Sequence, residues 1–254
     1  MPSNVAHRRT SVAGRLLDVL GAFDAGHPAL RLSEIARCAG LPLPTTHRLL
    51  AELTAWGALS RRPDGAYVIG RRLWDLGMLA PAANGLREAA APFLHDIHAA
   101  TRATVHLAVR DQTQVLYLDR VSGSASVPVV SRVGSRLPLY ATGVGKALLA
   151  YAPPDVQAAV CGQLERITPY TITQPGRLQS QLARVRSDGF AETHEEMSLG
   201  ACSVAVPVSD SDDQVVAALG IVVANLKRNR AQLVAALRVA ASGISRSIPT
   251  ANFR

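Results

Sequence analysis

Residues 32–50 read Leu32-Ser33-Glu34-Ile35-Ala36-Arg37-Cys38-Ala39-Gly40-Leu41-Pro42-Leu43-Pro44-Thr45-Thr46-His47-Arg48-Leu49-Leu50. Ser33 is placed to cap the free N–H groups of a short helix whose Ile35, Ala36 and Ala39 face inward, and Gly40 ends it. A second helix is expected almost at once, from about Pro42 to Trp56. Its Thr46, Leu49, Leu50 and Leu53 share a packed face, while Thr45, Arg48 and Glu52 lie on another. Two short helices joined by a glycine turn form the helix-turn-helix pattern, whose second helix enters the DNA major groove.

The flanking sequence extends this pattern in both directions. Upstream, Val12, Leu16, Leu17, Val19, Leu20 and Phe23 recur at helical spacing until Gly26, His27 and Pro28 stop the run. Downstream, the turn Pro63-Asp64-Gly65 separates two strand-like runs, residues 58–62 and 66–70. A basic hairpin directly after a helix-turn-helix reads as a wing. Residues 71–79 are again helical, before Pro81. The expected organisation is therefore a winged helix-turn-helix over 1–70, a linker helix over 71–84 and a larger domain over 85–254.

In that larger domain the pattern predicts helices at 86–99, 143–150, 177–188 and 230–245. It predicts strands at 104–110, 114–120, 127–130, 203–208 and 215–223. Strands and helices mix without strict βαβ alternation, so an α+β class with an antiparallel sheet flanked by helices is expected.

Composition sets the outer bounds. Lys plus Arg number 27 against 19 Asp plus Glu, a balance that points to a polyanionic partner. The cations are overwhelmingly Arg, whose planar fork suits phosphate and guanine edges. Three cysteines, Cys38, Cys161 and Cys202, are too scattered for a disulfide framework, and no cofactor or metal-ligand spacing appears. The polar, basic start and the lack of a long unbroken apolar run predict a cytoplasmic protein without a membrane span.

The helix entering a major groove must show short polar and basic groups at its N-terminal turn. Pro44, Thr45, His47 and Arg48 occupy that turn, with Ser33 on the preceding helix and Arg61 and Arg62 on the wing. Thr46 is assigned to packing. Further along, Thr142-Gly143-Val144-Gly145-Lys146 opens a helix with a Thr cap and glycines that leave N–H groups uncovered, a setting that suits a carboxylate.

In order and spacing the chain resembles the IclR family of transcriptional regulators over nearly its whole length. The stretches that carry the resemblance include Leu32–Ala36, Gly40–Pro42, Thr45–Leu50, Tyr67–Gly70, Val115–Val121, Gly134–Gly143, Gly145–Ala150, Glu195-Glu196 and Ala205–Val208. The resemblance implies a GAF-like α/β effector domain and dimers, often paired into tetramers, on a palindromic operator in double-stranded DNA. Such a regulator represses or activates according to where the operator lies relative to the promoter. The resemblance also implies effector contacts at Thr142, Gly143, Val144, Thr193, Ser203, Gly220 and Val222. The family usually carries Lys or Arg and then Ser after its Gly-Leu-Pro, where this chain has Leu43 and Pro44. That shifts phosphate affinity towards the arm His7-Arg8-Arg9 or the wing. Members that sense small acids carry an Asp, a Cys and two Ser at the positions of Thr193, Ser203, Gly220 and Val222. The pocket is accordingly expected to be roomier and more apolar, and Ser203 resembles members that sense aromatic acids. The expected effector is an aromatic or otherwise apolar carboxylate of a catabolic pathway.

Three other readings compete. A hydrolase would use Cys202 with His194 as base and Glu195 or Glu196 to orient it, but would leave the helix-turn-helix unexplained. A metal-responsive regulator would use His95 and His98, spaced i and i+3 on a helix, with His106 joining only if the fold brought it near. A pure oligomerisation module would leave the glycine-rich helix start without a role.

Overall fold

The computed structural model describes residues 11–24, 26–77, 81–124, 126–227 and 229–248, with the backbone alone for 81–84. The arm His7-Arg8-Arg9 lies outside the described residues. The chain divides into two compact units, Met1–Ala80 and Pro81–Arg254.

In the first unit, α1 (Val12–Leu20) is capped by Ser11, whose Oγ accepts from the Gly14 N–H at 2.9 Å. α2 (Leu32–Ala39) follows a two-residue strand, β1 (Ala29–Leu30), and α3 (Leu43–Trp56) follows α2. Gly40 and Gly57 close α2 and α3 with positive φ, which costs a glycine no steric penalty. The start of α2 corrects the reading of Ser33. The helix begins at Leu32, and Glu34 Oε2 accepts from the Arg31 N–H at 2.7 Å, so Ser33 is an exposed residue of the first turn and not its cap. The longer Glu side chain three residues beyond the cap position reaches back to the orphan donor.

The wing pairs β2 (Leu59–Arg61) with β3 (Tyr67–Ile69), and β1 adds to the far side of β3. Its loop is set by Gly65 at φ 84° and by Asp64 Oδ1, which accepts from the Ala66 N–H. Val19, Leu30, Ile35, Leu49, Leu50, Leu59 and Tyr67 meet in one core, so the hairpin and all three helices share it. α4 (Arg71–Gly77) belongs to this unit.

The second unit opens with α5 (Pro81–Thr101), a start five residues before the expected Leu86. Its sheet is antiparallel and runs β6-β5-β4-β9-β8-β7. The strands are β4 (Thr104–Asp111), β5 (Gln114–Val121), β6 (Arg136–Pro138), β7 (Ala191–His194), β8 (Cys202–Ser209) and β9 (Val215–Val223). Because strand neighbours point to opposite faces, Val105, Leu107, Val204 and Val206 pack on α5 and on α9 (Arg230–Ser247). Ala108, Val115, Ala205 and Ala218 pack on the other face, under α6 (Gly143–Leu149), α7 (Pro154–Cys161) and α8 (Pro175–Asp188).

Residues 127–130, expected as a strand, are not one. The outer edge of β5 is already taken, since Gly134 N–H donates to Tyr117 O, Tyr117 N–H donates to Ser135 O, and β6 continues the pairing. Pro128 also lacks the N–H a ladder needs. The segment instead becomes a wall of the cavity described below. β6, β7, α7 and β1 carry too few residues or too little periodicity to be seen in the sequence. Among the described residues, no helix is long and apolar enough to cross a membrane.

Candidate functional site

On α3, burial of Thr46, Leu49, Leu50 and Leu53 leaves Pro44, His47 and Arg48 exposed and Thr45 half-buried. Thr46 is fully buried and its hydroxyl donates to the Pro42 carbonyl at 3.1 Å, so it packs rather than reads DNA. Arg61 and Arg62 are exposed on the wing, with the Arg61 guanidinium 5.8 Å from the Tyr67 ring centre. The ion pairs described for this unit, Asp24–His27 and Arg71–Asp75, involve none of Arg48, Arg61 and Arg62. Exposed guanidinium groups on a packed helix and hairpin are suited to phosphate and base edges.

The second unit holds a cavity of about 480 Å³, counting its mouth. All seven residues proposed from the sequence line it: Thr142, Gly143, Val144, Thr193, Ser203, Gly220 and Val222. Cross-strand register explains the convergence. Thr193 is paired with Ser203 and Ser203 with Val222 in one row, while Ala205, Gly220 and His106 form the next. The Thr193 and Ser203 hydroxyls lie 2.6 Å apart.

α6 begins against this floor. Thr142 Oγ1 accepts from the Gly145 N–H at 3.1 Å, and the Thr142 carbonyl accepts from Lys146 N–H. The Gly143 and Val144 amides therefore remain as the first-turn donors that neither bond covers. The glycines have a packing reason that the sequence does not disclose. A Cβ on Gly143 would collide with Ser203 Oγ, and one on Gly145 with the Leu139 carbonyl. The Gly220 position is also not vacant, because a Cβ there would lie 2.7 Å from Val144 Cγ1. The expected extra room at Gly220 is thus filled by Val144, and the glycine lets α6 approach the sheet.

Sequence reasoning missed three further residues of the cavity. His106, Tyr117 and Ser131 line it and are all buried. Ser131 Oγ and His106 Nε2 are hydrogen-bonded at 2.8 Å, and Arg120 Nη1 donates to the Ser131 carbonyl at 3.0 Å. These two bonds tie the wall at 129–131 to the sheet. The His106 and Tyr117 rings meet edge to face at 5.0 Å and 73°. Burial, with the Arg120 charge as the lesser cause, lowers the His106 pKa to about 3, so the ring is neutral. Burial raises the Tyr117 phenol above its ordinary range, with Thr142 opposing. A signal for His106 was present, since alternation on the strand puts it opposite Val105 and Leu107.

The remaining rim is residues 195–201, which contribute Met197, Ser198 and Ala201. Glu195 Oε2 accepts from Gly200 N–H, and Thr168 and Thr171 hydroxyls donate to the Glu195 and Glu196 carbonyls at 2.7 Å. Lys146, fully buried on α6, donates to both Glu196 oxygens at 2.6 and 2.7 Å and to Gln181 Oε1 at 2.6 Å. Burial lowers the Lys146 pKa and raises that of Glu196, and each partner's charge opposes the shift.

Both acidic candidates for a hydrolase are thus engaged in holding the rim. Cys202 and His194 are cross-strand partners, but His194 is exposed and Cys202 lies in the core on the face away from the cavity. Burial and the nearby Glu195 charge raise the Cys202 pKa, the opposite of what a thiolate nucleophile requires. The His95 and His98 Nδ1 atoms bond to the Ala91 and Ala103 carbonyls, while His106 faces the cavity across the sheet. Among the described residues no group of three His, Cys, Asp or Glu side chains could hold a metal ion.

Comparison with known proteins agrees with this division of the chain. The IclR helix-turn-helix domain matches residues 12–63, and the bacterial transcriptional regulator IclR C-terminal domain matches residues 80–246. The HTH-type transcriptional regulator XynR of Escherichia coli is 32% identical over 210 residues, 82% of this chain and 83% of its own. The glycerol operon regulatory protein of Streptomyces coelicolor is 31% identical over 245 residues, 94% and 96% of the two chains. Among solved structures, an IclR homolog from Microbacterium hydrocarbonoxydans, complexed with 4-hydroxybenzoate, superposes with a TM-score of 0.88 at 35% identity. It covers 92% of this chain and 97% of its own.

Proposed function

Because the chain belongs to the IclR family of DNA-binding transcriptional regulators, we propose that it reads a palindromic operator as a homodimer or a dimer of dimers and responds to an aromatic or otherwise apolar carboxylate. In this reading Arg48, with Thr45 and His47 beside it, contacts base edges or phosphates from α3, and Arg61 and Arg62 contact the backbone from the wing. The effector lies in the cavity of the second unit, its carboxylate towards the Gly143 and Val144 amides and the Thr193 and Ser203 hydroxyls. Its apolar body lies against Val144, Leu137 and Val222. It is a regulator and not an enzyme.

The observation that carries the effector reading is the lining itself. Lys146, the nearby cation, faces Glu196 and Gln181 and is not among the lining residues, so the acid end is held by neutral donors. Apolar walls then supply the affinity that a compact, highly polar acid could not draw from them. The neighbour with 4-hydroxybenzoate bound adds support for the class.

The test is fluorescence polarisation on DNA upstream of the protein's own gene and its neighbours, with and without benzoate-type and glyoxylate-type acids. Salt-dependent binding altered by the aromatic acids alone is the expected result. A response to glyoxylate-type acids alone would refute the effector class. Loss of all specific, salt-dependent binding would remove the operator reading.

A further inference from the structure

Resting on the proposed carboxylate site, we infer that the His106–Ser131 pair is a second recognition point that selects acids carrying a neutral hydroxyl opposite the carboxylate, a hydroxylated aromatic monoacid. The cavity's polar groups fall in two sets, and Tyr117, whose phenol interacts with Thr142 and whose ring meets that of His106, lies beside both. In one set are the α6 amides and the Thr193–Ser203 hydroxyl pair. In the other, His106 and Ser131 are each only 3% exposed and line the same cavity, although they come from a strand and an irregular wall segment.

The span between the two places suits one ring substituted at opposite ends. Ser203 is on β8 and His106 on β4 with β9 between, so two strand spacings separate the backbones by roughly 10 Å. The pairings Ser203 with Val222 and His106 with Gly220 offset them by two further residues along the strands, roughly 7 Å. A hydrogen bond at each end takes up roughly 3 Å of that distance, and Val144 and Val222 also line the cavity.

The chemistry of the pair identifies the group it meets. If Ser131 donates its proton to His106 Nε2, its oxygen keeps lone pairs for a ligand O–H. If Nε2–H donates instead, the Ser131 proton is left for a ligand oxygen. A hydroxyl, both donor and acceptor, satisfies either arrangement, whereas a carboxylate accepts only. The ring is neutral, held so by burial and by Arg120. Arg120 itself donates to the Ser131 carbonyl and is not among the lining residues. A second carboxylate would therefore enter an apolar setting with no cation lining it.

Calorimetric titration of the full chain with benzoate, 4-hydroxybenzoate and terephthalate at neutral pH separates the cases. Expected is 4-hydroxybenzoate binding about tenfold tighter than benzoate, with terephthalate weakest. Ser131→Ala should bring the two monoacids to within about threefold by weakening 4-hydroxybenzoate more than benzoate, and His106→Asn should do the same. Equal affinities in the wild type overturn this inference and leave the aromatic-acid reading standing. Terephthalate binding tightest also overturns it, pointing instead to Arg120, whose Nε is buried without a partner among the described residues. Loss of benzoate binding in both variants assigns His106 and Ser131 to the scaffold and overturns it too. If none of the three acids binds the wild type, the aromatic-acid reading fails and this inference with it.

Discussion

The DNA-facing candidates fall in one short stretch, Ser33 to Arg62, and all but Thr45 are exposed side chains on a helix pair and a hairpin. The cavity draws instead on residues from His106 to Val222, carried by several strands, a helix start and two rim segments. In the first unit local rules determine what faces outward, because helical periodicity buries one side of α3 and leaves the other free. In the second, a residue enters the site through cross-strand register and through how closely α6 approaches the sheet. A surface reader tolerates a local change, whereas an enclosed site transmits it through packing.

Three substitutions would break or sharpen that contrast. The largest effect is expected from Lys146→Met, which leaves the Glu196 carboxylate buried beside Gln181 without its cation. It should cost about 3–5 kcal/mol of the second unit's stability in urea denaturation. Adding Glu196→Leu should restore most of it. A single-variant loss under about 1 kcal/mol would show that the rim does not depend on the pair.

Next is Arg48→Ala, expected to weaken operator binding by about 1–3 kcal/mol, and to lower the salt slope by about one if the contact is to phosphate. Effector affinity measured on the free protein should not change. Unaltered operator binding would remove Arg48 from the interface.

The last effect concerns pH and is read only between pH 6.5 and 5. His106 is held neutral in the folded state with a pKa of about 3, below the ordinary value of 6.5. The unfolded chain takes up that proton below pH 6.5 and the folded chain does not. The stability from this group is therefore full above 6.5 and falls as pH drops towards 3, by up to about 1.4 kcal/mol per unit. His106→Asn should flatten that slope between pH 6.5 and 5, and identical slopes in urea titrations of the two proteins would refute it.

Much of the first unit was readable before any coordinates. Gly40, the α3 face and the Asp64-Gly65 turn each act within a few residues, so their pattern survives in a one-dimensional reading. The error at Ser33 was also local, because Glu34 and Ser33 compete for the same helix start and the longer side chain prevailed. In the second unit the seven cavity positions came from family resemblance, and alternation separated Ser203 from Cys202. Residues 127–130 look like a strand because apolar composition does not record that Gly134, Ser135 and β6 have already filled the edge of β5. Gly143, Gly145 and Gly220 look like exposed turns or lost side chains because nothing nearby in sequence names Ser203, Leu139 or Val144 as their neighbours.

The sequence by itself determined the class of fold, the helix-turn-helix with its wing, the Thr142 helix start and the alternating faces of β4 and β8. Each follows from dihedral preference, capping or periodicity over a few residues. Only the tertiary structure decided that His106, Tyr117 and Ser131 share a cavity with Ser203, and that Lys146 meets Glu196 beneath its rim. Those contacts join residues far apart along the chain, and they exist only once the strands have paired in register and the helix has settled on the sheet.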